Sequence, residues 1–561
     1  MTDTLKIALA QINPTVGDLG RNLELIRAVR ARAASAGADL VLTPELSLVG
    51  YPPEDLVLKP MFVDRAREAV EALAAETADG GPGLVIGLPW REEGAEAPLR
   101  FQVYNAVAVL DAGKIQALRF KVDLPNYSVF DEKRVFKLGP LPGPVNFRGV
   151  RLGIPICEDI WTEEVPECLM ESGAEILLVP NGSPYELDKV DFRVQLSVAR
   201  VTETGLPLIY VNQVGGQDEL VFDGGSFVLD AERRLRAQLP LFEEARVVTD
   251  WQRGADDVWA CGQAEVVPPQ EGLEPIYRAL VVGLRDYVDK NGFPGVIIGL
   301  SGGIDSALSA AVAVDALGPE RVRCVMMPSP YTSAESLEDA AACAGLLGVR
   351  LDQVGIEPAM AAFEGMLRPL FDGLKADTTE ENIQARSRGL TLMAISNKLG
   401  YMVLSTGNKS EMSVGYATLY GDMCGGYNVL KDVYKTTVFK LSHWRNQAMP
   451  KDGRGPAGRV IPERIITKPP SAELKPDQTD QDSLPPYDDL DEILGCLIEG
   501  EMGVEEIVAR GFERATVTRV WRMLDGAEYK RRQAPPGVKI TTRAFGRDRR
   551  YPITNAFKGP L

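Results

Sequence analysis

Histidine is almost absent from this chain of 561 residues, in which His443 is the only one. A Ser–His–Asp or Cys–His mechanism therefore cannot operate in both halves of the chain. A metal site built from several histidines is excluded for the same reason. Acid–base chemistry in this protein must depend mainly on carboxylates and lysines.

The seven cysteines are scattered and odd in number, and no two of them form a Cys-x-x-Cys pair. This pattern argues against structural disulfides and zinc knuckles and is typical of a reducing cytoplasm. The N-terminal segment MTDTLKIALAQINPTVGD lacks the regions of a signal peptide, and no apolar run approaches the length that spans a bilayer. We therefore expect a cytoplasmic protein that does not contact membranes.

The chain has fewer basic residues than acidic ones. It contains 61 lysines and arginines and 79 aspartates and glutamates, so the formal net charge is −18. An acidic surface repels nucleic-acid phosphates, so we expect no nucleic-acid partner. This balance still leaves room for local basic pockets that bind small phosphorylated ligands. The length of the chain predicts roughly two to four domains.

Two α/β segments separated by a linker are predicted from the pattern of apolar runs. Residues 1–260 alternate short apolar runs with amphipathic helices, which indicates an α/β sandwich or layered sheet. Residues 261–274 are rich in Gly, Pro and Glu and are predicted to be a linker. Residues 275–561 are predicted to form a second α/β unit, which starts with a helix and continues into the strand GVIIGL.

Three chemically capable residues lie at the ends of predicted strands in the first segment. Glu45 follows the apolar run of VLTPEL, Lys121 occurs in RFKVDLPNY, and Cys157 occurs in VRLGIPICEDIW. Taken singly, such residues are usually rim or core residues. Taken together, a carboxylate can deprotonate a thiol, and a lysine can stabilise the thiolate and the oxyanion that follows.

This arrangement resembles the nitrilase (carbon–nitrogen hydrolase) superfamily, whose Glu–Lys–Cys triad occurs in these contexts and in this order over about residues 1–260. The resemblance implies an αββα sandwich in which Glu45 is the general base, Lys121 stabilises the oxyanion and Cys157 is the acylated nucleophile. It also implies a set of glutamine-binding residues, which are Tyr127, Glu132, Ser183 and Lys189.

The second segment contains a predicted nucleotide loop, where the strand GVIIGL runs into Ser-Gly-Gly-Ile-Asp-Ser and an Ala-rich helix. The glycines let backbone N–H groups approach phosphate oxygens, and the helix start adds its positive dipole end. The lysine that a Walker loop requires is missing. Asp305 is suited to hold Mg²⁺ on a departing pyrophosphate, although a capped strand–helix turn is the structural alternative. The predicted ATP-binding residues of this loop are Gly299, Leu300, Ser301, Gly302, Gly303, Ile304, Asp305 and Ser306.

The loop resembles that of the N-type ATP-pyrophosphatases, and residues 381–436 resemble NAD synthetases nearly throughout. A nitrilase-like glutaminase ahead of such a synthetase is similar to the bacterial glutamine-dependent NAD⁺ synthetase family. The resemblance implies a Rossmann-like parallel sheet in the second segment. It also implies glutamine, ATP as co-substrate and deamido-NAD⁺ as small-molecule substrates, Mg²⁺ as cofactor, passage of ammonia between the sites, and a homo-oligomer.

Further site residues follow from the same resemblance. Thr406, Lys435 and Ser471 are implied as ATP contacts, and Glu411 as a second Mg²⁺ ligand beside Asp305. The residues implied to bind deamido-NAD⁺ are Asn382, Arg386, Glu411, Tyr416, Gly426 and Lys530. Single-domain synthetases have a His-Lys pair where this chain has Tyr529-Lys530. Basic residues 530–532 and 543–550 are expected to be either phosphate contacts or a solvated tail.

Two alternatives remain open from the sequence. The chain is either a complete amide-transferring ligase or an amidase with a regulatory ATP-binding domain, and pyrophosphate release distinguishes the two. The polar segment 475–489 follows Ser471 and is expected to be a loop, which either orders over bound nucleotide or is simply solvated.

Overall fold

The computed structural model of the chain describes residues 3–92, 102–255, 257–475 and 478–557. The chain divides into two compact units, Met1–Gln270 and Glu271–Leu561. Within the described residues, no helix combines the length and the apolar character needed to cross a membrane.

The first unit is built from short strands and four longer helices among its described residues. Its strands are β1 (Thr4–Gln11), β2 (Leu40–Leu42), β3 (Gly83–Arg91), β4 (Val103–Asp111), β5 (Lys114–Phe120), β6 (Val145–Phe147), β7 (Val150–Gly153), β8 (Ile176–Asn181), β9 (Leu208–Asn212), β10 (Val214–Gln217), β11 (Leu220–Asp223), β12 (Phe227–Leu229), β13 (Leu235–Gln238), β14 (Ala245–Arg253) and β15 (Trp259–Cys261). Its helices are α1 (Leu19–Ser35), α2 (Pro60–Glu76), α3 (Glu164–Glu171) and α4 (Lys189–Thr204).

The strands of this unit form two large sheets in the described part of the chain, with orders β15-β14-β1-β2-β3-β4-β5 and β13-β12-β9-β8-β7-β6. Apolar side chains from both sheets, such as Leu42 and Ile209, share one buried cluster. A second cluster joins the first sheet to α1 and α2, and a third joins the second sheet to α3 and α4. Because each sheet is covered on both faces, β4 is buried at almost every position. The predicted αββα sandwich is therefore confirmed.

The helices of this unit follow from their sequence pattern. The side chain of Asp18 accepts a hydrogen bond from the backbone N–H of Arg21 and so caps the start of α1. Along α1 the buried residues Asn22, Ile26 and Val29 recur at helical spacing and form the stripe that packs on the sheet.

The second unit alternates helices and parallel strands and then continues as helices. Its strands are β16 (Val296–Gly299), β17 (Val322–Met326), β18 (Arg350–Gln353), β19 (Met402–Ser405) and β20 (Tyr427–Asn428). Its helices are α5 (Leu273–Lys290), α6 (Ile304–Leu317), α7 (Ala334–Leu347), α8 (Glu357–Phe371), α9 (Thr378–Leu399), α10 (Lys409–Val414), α11 (Lys435–Gln447), α12 (Glu463–Thr467), α13 (Tyr487–Ile498), α14 (Val504–Ala509), α15 (Arg514–Gly526) and α16 (Glu528–Arg531).

The sheet of the second unit has the order β18-β17-β16-β19-β20 among the described residues, and all neighbouring strands are parallel. The chain winds outward in one direction from β16 to β18 and then resumes on the other side of β16 with β19. In such a sheet, ligands bind beyond the carboxyl ends of the strands where the winding direction changes, here between β16 and β19. The predicted Rossmann-like sheet is therefore confirmed.

The predicted loop 475–489 is shorter in the structure than in the sequence prediction. Residues 476 and 477 lie outside the described residues. The last three residues of the predicted loop, from Tyr487 onward, already belong to α13, which begins directly after Pro486. Proline is favoured at a helix start because its fixed φ and missing N–H cost nothing there.

Candidate active sites

A buried cluster of two carboxylates and one ammonium group forms the first site. Glu45 lies three residues beyond β2, and Lys121 directly follows β5. Lys121 Nζ is 2.7 Å from Glu45 Oε1 and 2.9 Å from Glu132 Oε1, and all three side chains are buried. Tyr51 also donates its hydroxyl to Glu132 Oε1 at 2.7 Å. Glu132 therefore lies beside the lysine, inside the cluster.

Cys157 is held next to this cluster by the turn that it begins. The residue opens a short 3-10 turn after β7, with φ of 49°. The carboxylate of Asp159 accepts hydrogen bonds from the N–H of Ile156 at 2.9 Å and from the two residues that follow Lys121 at 2.9 and 2.8 Å. Asp159 therefore ties the cysteine turn to the segment that carries the lysine.

Burial decides where protons reside in the first site. It raises the pKa of the Cys157 thiol well above the ordinary value, and Glu45 adds to this effect while Lys121 opposes it. Burial also raises the pKa of Glu132 to about 7, against the opposing charge of Lys121. Burial by itself lowers the pKa of Lys121, but Glu132 and Glu45 raise it well above the ordinary value. The site therefore combines a protonated Cys157 thiol with a charged Lys121 ammonium group.

Gly182 is required by the close approach of backbone to the carboxylate. Its N–H donates to Glu45 Oε2 at 3.0 Å. A Cβ atom at this position would lie 2.8 Å from the ring of Tyr51 and 3.2 Å from Glu45 Oε2. Any larger residue would displace the Glu45 carboxylate or the tyrosine.

Charged and aromatic side chains surround the opening of this site. The hydroxyl of Tyr127 donates to Glu158 Oε1 at 2.7 Å. Lys189 begins α4, and its Nζ lies 5.8 Å from the centre of the Phe130 ring. Burial raises the pKa of Glu158, and the charge of Lys189 is among the influences that lower it. A carboxylate and an ammonium group therefore face the same opening.

The Ser183 loop is fixed by a buried ion pair. The Ser183 N–H donates to Asn212 Oδ1 at 2.9 Å, and the Ser183 hydroxyl accepts from Arg193 Nε at 3.1 Å. Arg193 in turn forms a buried ion pair with Asp223 at 2.7 Å. The predicted substrate residue Ser183 is thereby held in one position.

The predicted nucleotide loop occupies the carboxyl end of β16. Gly299 ends the strand, Leu300 is buried, and Ile304 and Asp305 lie in the first turn of α6. The Ser306 hydroxyl accepts from the Ser301 N–H at 3.2 Å, and the Ser301 hydroxyl accepts from the Gly303 N–H at 3.2 Å. The loop therefore keeps its shape through its own serines.

Gly302 lets this loop lie against α7. Its φ is 82°, and a Cβ atom here would be 2.4 Å from the backbone oxygen of Ser336. Neither the conformation nor the distance tolerates a side chain.

A second buried ion cluster adjoins the loop. Lys435 Nζ is 2.5 Å from Asp305 Oδ2 and 3.0 Å from Glu411 Oε1. Asn408 Nδ2 donates to Asp305 Oδ1 at 2.8 Å, and Asn408 Oδ1 accepts from the Glu411 N–H at 2.9 Å. The starts of α6, α10 and α11 therefore bring Asp305, Glu411 and Lys435 together.

The charges of this second cluster compensate one another. Burial raises the pKa of Glu411 to about 7, with Lys435 opposing and Asp305 adding to the effect. Burial alone lowers the pKa of Lys435, but Asp305 and Glu411 raise it well above its ordinary value.

Asp305 and Glu411 fit a Mg²⁺ ion that also takes oxygens from bound phosphates. Both supply the carboxylate oxygens that Mg²⁺ prefers, and this ion commonly takes only one or two protein carboxylates. Across the described residues, no three acidic, histidine or cysteine side chains form a complete cage. The donor set therefore suits an ion that arrives with nucleotide.

The remaining predicted ATP contacts lie around the same sheet edge. Thr406 directly follows β19, next to the end of β16. The Ser471 hydroxyl donates to the Gln478 carbonyl at 2.5 Å. Glu473, two residues beyond Ser471, accepts from the hydroxyls of Ser333 at 2.8 Å and Ser336 at 2.7 Å. The Ser471 loop is therefore tied to the start of α7, beside the nucleotide loop.

Some of the residues predicted to bind deamido-NAD⁺ lie close together in the structure. Asn382 lies one turn before Arg386 on α9, and Arg386 Nε donates to the Leu419 carbonyl at 3.2 Å. Lys530 Nζ donates at 2.7 Å to the two backbone carbonyls that flank Tyr416. Arg386, Tyr416 and Lys530 thus share the segment after α10. Gly426 lies apart from them and donates its N–H to Val403 on β19 at 2.8 Å.

Sequence reasoning missed several side chains that complete these sites. Glu158 and Asp159 directly follow the cysteine in CEDIW, and this adjacency to the predicted nucleophile could have identified them as site residues. Asn105 is a polar residue inside the apolar run of VYNAVAVL. Asn408 lies in GNKSE, between two predicted ATP-site residues. The individual roles of the predicted residues stay predictions.

Two protein families and several known enzymes are similar to this chain. The carbon–nitrogen hydrolase family matches residues 6–257, and the NAD synthase family matches residues 276–534. The chain is 54% identical to the glutamine-dependent NAD(+) synthetase of Rhodobacter capsulatus, over 100% of both chains. It is 44% identical to the Acinetobacter baumannii glutamine-dependent NAD⁺ synthetase solved with ADP, with a TM-score of 0.77 over 100% of both chains.

A more distant structure supports the fold alone. The glutamine-dependent NAD(+) synthetase of Cytophaga hutchinsonii is 21% identical and has a TM-score of 0.80, over 99% of this chain and 98% of that one. Fold and sites together define an ATP-using carbon–nitrogen ligase with a fused amidase unit. The chain belongs to the glutamine-dependent NAD(+) synthetase family.

Proposed function

We propose that the chain converts deamido-NAD⁺ to NAD⁺, with glutamine as the amide donor and ATP as co-substrate. Residues 1–260 are the glutaminase, 261–274 the linker and 275–561 the synthetase. The observation that carries this proposal is the presence, in one chain, of the buried Glu45–Lys121 pair beside Cys157 and of the nucleotide loop beside Asp305.

The first reaction releases ammonia from glutamine. Glu45 takes the proton of Cys157, and the thiolate attacks the carboxamide carbon of glutamine. Lys121 stabilises the oxyanion that forms. Glu45 then returns the proton to the leaving nitrogen, so that ammonia departs and a thioester remains. Water hydrolyses this thioester to glutamate and the free thiol.

The opening of the first site complements the charges of free glutamine. The carboxylate of Glu158 suits the substrate's α-ammonium group, and Lys189 suits its α-carboxylate. Tyr127 holds Glu158 in place through its hydroxyl. The fixed Ser183 loop supplies further polar contacts.

The second reaction activates the nicotinate carboxylate, because an unactivated carboxylate and ammonia form only a salt. The carboxylate oxygen attacks the α-phosphorus of ATP, and pyrophosphate leaves. Ammonia then attacks the acyl carbon, and AMP leaves as NAD⁺ forms. The residues that bind ATP are the loop 299–306, Thr406, Lys435 and Ser471. Those that bind deamido-NAD⁺ are Asn382, Arg386, Glu411, Tyr416, Gly426 and Lys530.

Asp305 and Glu411 are the residues that would hold Mg²⁺ when nucleotide is bound, and the ion would supply positive charge against the phosphates. Lys435, which lies between these carboxylates in the structure, is then free to contact a phosphate oxygen. Adding a chelator should therefore stop pyrophosphate release and leave glutamine hydrolysis unchanged.

The protein acts in the cytoplasm as a homo-oligomer. Support for self-association comes from α8 and the residues after it, where Met366, Leu370 and Leu374 are exposed apolar side chains. Sedimentation of the wild type and of Leu370→Glu tests this, since the variant should sediment as a smaller species.

Replacement of Cys157 tests the division of labour. Cys157→Ala should abolish NAD⁺ synthesis from glutamine and leave synthesis from ammonium salts within about twofold of wild type, because the second site needs only ammonia. The matched control is Cys168→Ala, which changes a half-buried cysteine outside the site and should keep both activities. Loss of both activities in a folded Cys157→Ala chain would contradict the proposal. An amidase with a regulatory domain would release no pyrophosphate under any of these conditions.

A further inference from the structure

Asn105 links two of the proposed catalytic residues. It lies within β4, is 1% exposed, and its Nδ2 donates to Glu45 Oε1 at 2.7 Å. Lys121 Nζ donates to the same oxygen, also at 2.7 Å. The backbone oxygen of Asn105 accepts from the Lys121 N–H at 2.8 Å. One residue of β4 therefore contacts both the base and the cation of the first site.

The two oxygens of Glu45 are not equivalent. A carboxylate oxygen has two lone pairs, and Asn105 and Lys121 occupy both of those on Oε1. Oε2 accepts one hydrogen bond within the described chain, from the Gly182 N–H at 3.0 Å. Oε2 is therefore the oxygen with capacity left for a proton.

Cys157 and Glu45 Oε2 share a neighbour, the backbone N–H of Gly182. This N–H donates to Oε2 at 3.0 Å. Burial raises the pKa of the Cys157 thiol, whereas the N–H of Gly182 works in the opposite direction. The amide of Gly182 therefore adjoins both the thiol and the oxygen that has a free lone pair.

Folding stability does not explain why residue 105 is an asparagine. Because Glu45 Oε1 is an acceptor, Asn105 must direct its N–H₂ group towards it. Its own oxygen, Oδ1, is then buried and has no partner among the described residues. A buried acceptor without a partner costs stability, which an apolar residue in this strand would avoid.

We propose that Asn105 is a positioning residue for glutamine hydrolysis. Together with Lys121 it saturates Glu45 Oε1 and thereby presents Oε2 to the thiol of Cys157. The inference rests on the proposed glutaminase function and names the oxygen that accepts the proton.

Several ionisable groups surround Glu45 and enter any pH dependence. They are Lys121, Glu132, Cys157, Glu158 and Tyr51. Removing the Asn105 N–H leaves all five in place but leaves Oε1 with one donor. The carboxylate then turns more freely, and Oε2 is no longer held towards the thiol.

The full chain carrying Asn105→Ala tests the proposal. The kcat for glutamine hydrolysis should fall on the order of 10–100-fold, which corresponds to the loss of one hydrogen bond to a charged group. The KM for glutamine should stay within about twofold, because Asn105 acts through Glu45. Synthesis from ammonium salts should be unchanged and reports that the chain is folded.

The matched control is Asn22→Ala. Asn22 is equally buried in the same unit, and its side chain bonds to the backbone of Thr15 and Leu48 and to none of the three triad residues. It should therefore leave the kcat for glutamine unchanged. A kcat within twofold of wild type in Asn105→Ala, or an effect on KM alone, would overturn the proposal. Failure of the wild type to hydrolyse glutamine would instead refute the proposed function itself.

A second variant separates positioning from packing. Asn105→Asp keeps the shape but places a carboxyl group against Oε1, which repels Glu45 when ionised and donates to it when protonated. Its rate relative to wild type should therefore recover as pH falls. A constant ratio across the pH range would overturn the proposal, since a packing defect does not titrate.

Discussion

At the residue scale, Lys121 is shared by two buried carboxylates, Glu45 and Glu132, at 2.7 and 2.9 Å. One positive charge cannot neutralise two negative ones, so the cluster as a whole attracts a proton. This arrangement suits the proposed transfer of the Cys157 proton to Glu45 and from there to a leaving group. The proposed reaction in this site needs no histidine.

Replacing the base is the first prediction at this scale. Glu45→Gln keeps the size of the side chain but cannot accept a proton, so the rate of thioester formation should fall on the order of 10²–10⁴-fold. Rapid mixing with glutamine and detection of the first ammonia released measures this rate. Exposed Glu163→Gln serves as the control. A near-normal rate in Glu45→Gln would refute its role as base.

Glu132 gives a prediction about stability and pH. Burial raises its pKa in the folded state to about 7, from an ordinary value of 4.5. The folded chain therefore binds this proton more tightly than the unfolded chain. The resulting stabilisation is full below the ordinary value and is lost as pH rises through about 7. Each pKa unit corresponds to about 1.4 kcal/mol.

Glu132→Gln should remove this pH dependence, because glutamine keeps an oxygen for Lys121 and Tyr51 to donate to but carries no charge. Relative to wild type, the variant should gain stability steadily between about pH 5 and pH 8. Calorimetry at pH 5, 6.5 and 8 measures the difference. A difference that stays constant, or that favours wild type at high pH, would show that burial does not protonate this carboxyl.

The triad could be predicted at this scale because three chemically capable residue types stand at strand ends of one segment. Asn105 could not be assigned in the same way, because its partner Glu45 is 60 residues away in the sequence. The same limit applies to Lys435, whose contact with Asp305 spans 130 residues. Residue type is visible in a sequence, whereas the partner is set by the fold.

At the element scale, functional residues lie where regular structure begins or ends. Asp305, Glu411 and Lys435 belong to the first turns of α6, α10 and α11. Asn408 joins two of these helix starts through its side chain. The second site is therefore assembled from rigid elements, which reduces the cost of ordering it when nucleotide binds.

The glycines of the nucleotide loop give a prediction at this scale. Gly302→Ala should destabilise the second unit by about 1–3 kcal/mol, because φ of 82° and an atom at 2.4 Å oppose a side chain. Gly303→Ala is the matched control, since its nearest neighbour is the Ser301 hydroxyl at 3.3 Å. Denaturant unfolding compares the two variants with wild type. Equal losses of stability in both would show that the close approach to Ser336 does not matter.

The C-terminal basic segment is solvated only in part. Lys409 Nζ donates to the Arg543 carbonyl at 2.9 Å and so ties the start of the segment to α10. Arg549 is buried against Asp525 and Glu528. For Arg549 the solvated alternative is therefore wrong, whereas Arg550 is exposed.

The apolar run before Glu45 shows where a strand lies but not where it ends. The run DLVLTPEL suggests a longer strand than β2, which ends at Leu42. Beyond it, Leu46 adopts φ of 47°, and this turn carries Glu45. An apolar pattern does not specify a turn with positive φ at leucine, since its conformation depends on the surrounding structure.

At the scale of the whole molecule, two units with separate sheets and separate apolar clusters occupy one chain. The alternation of strands and helices predicted two α/β units. It did not predict the strand order β18-β17-β16-β19-β20, because pairing depends on contacts between distant segments. That order determines where the nucleotide loop and Thr406 meet.

The central claim is that the amide nitrogen of glutamine is transferred to NAD⁺ and that ATP is cleaved to AMP and pyrophosphate in the same reaction. The most direct measurement incubates the full chain with amide-¹⁵N glutamine, ATP, Mg²⁺ and deamido-NAD⁺, and follows the products by mass spectrometry. We predict NAD⁺ labelled in its carboxamide, with one AMP and one pyrophosphate formed for each NAD⁺. Unlabelled NAD⁺, or ADP and phosphate in place of AMP and pyrophosphate, would contradict this claim.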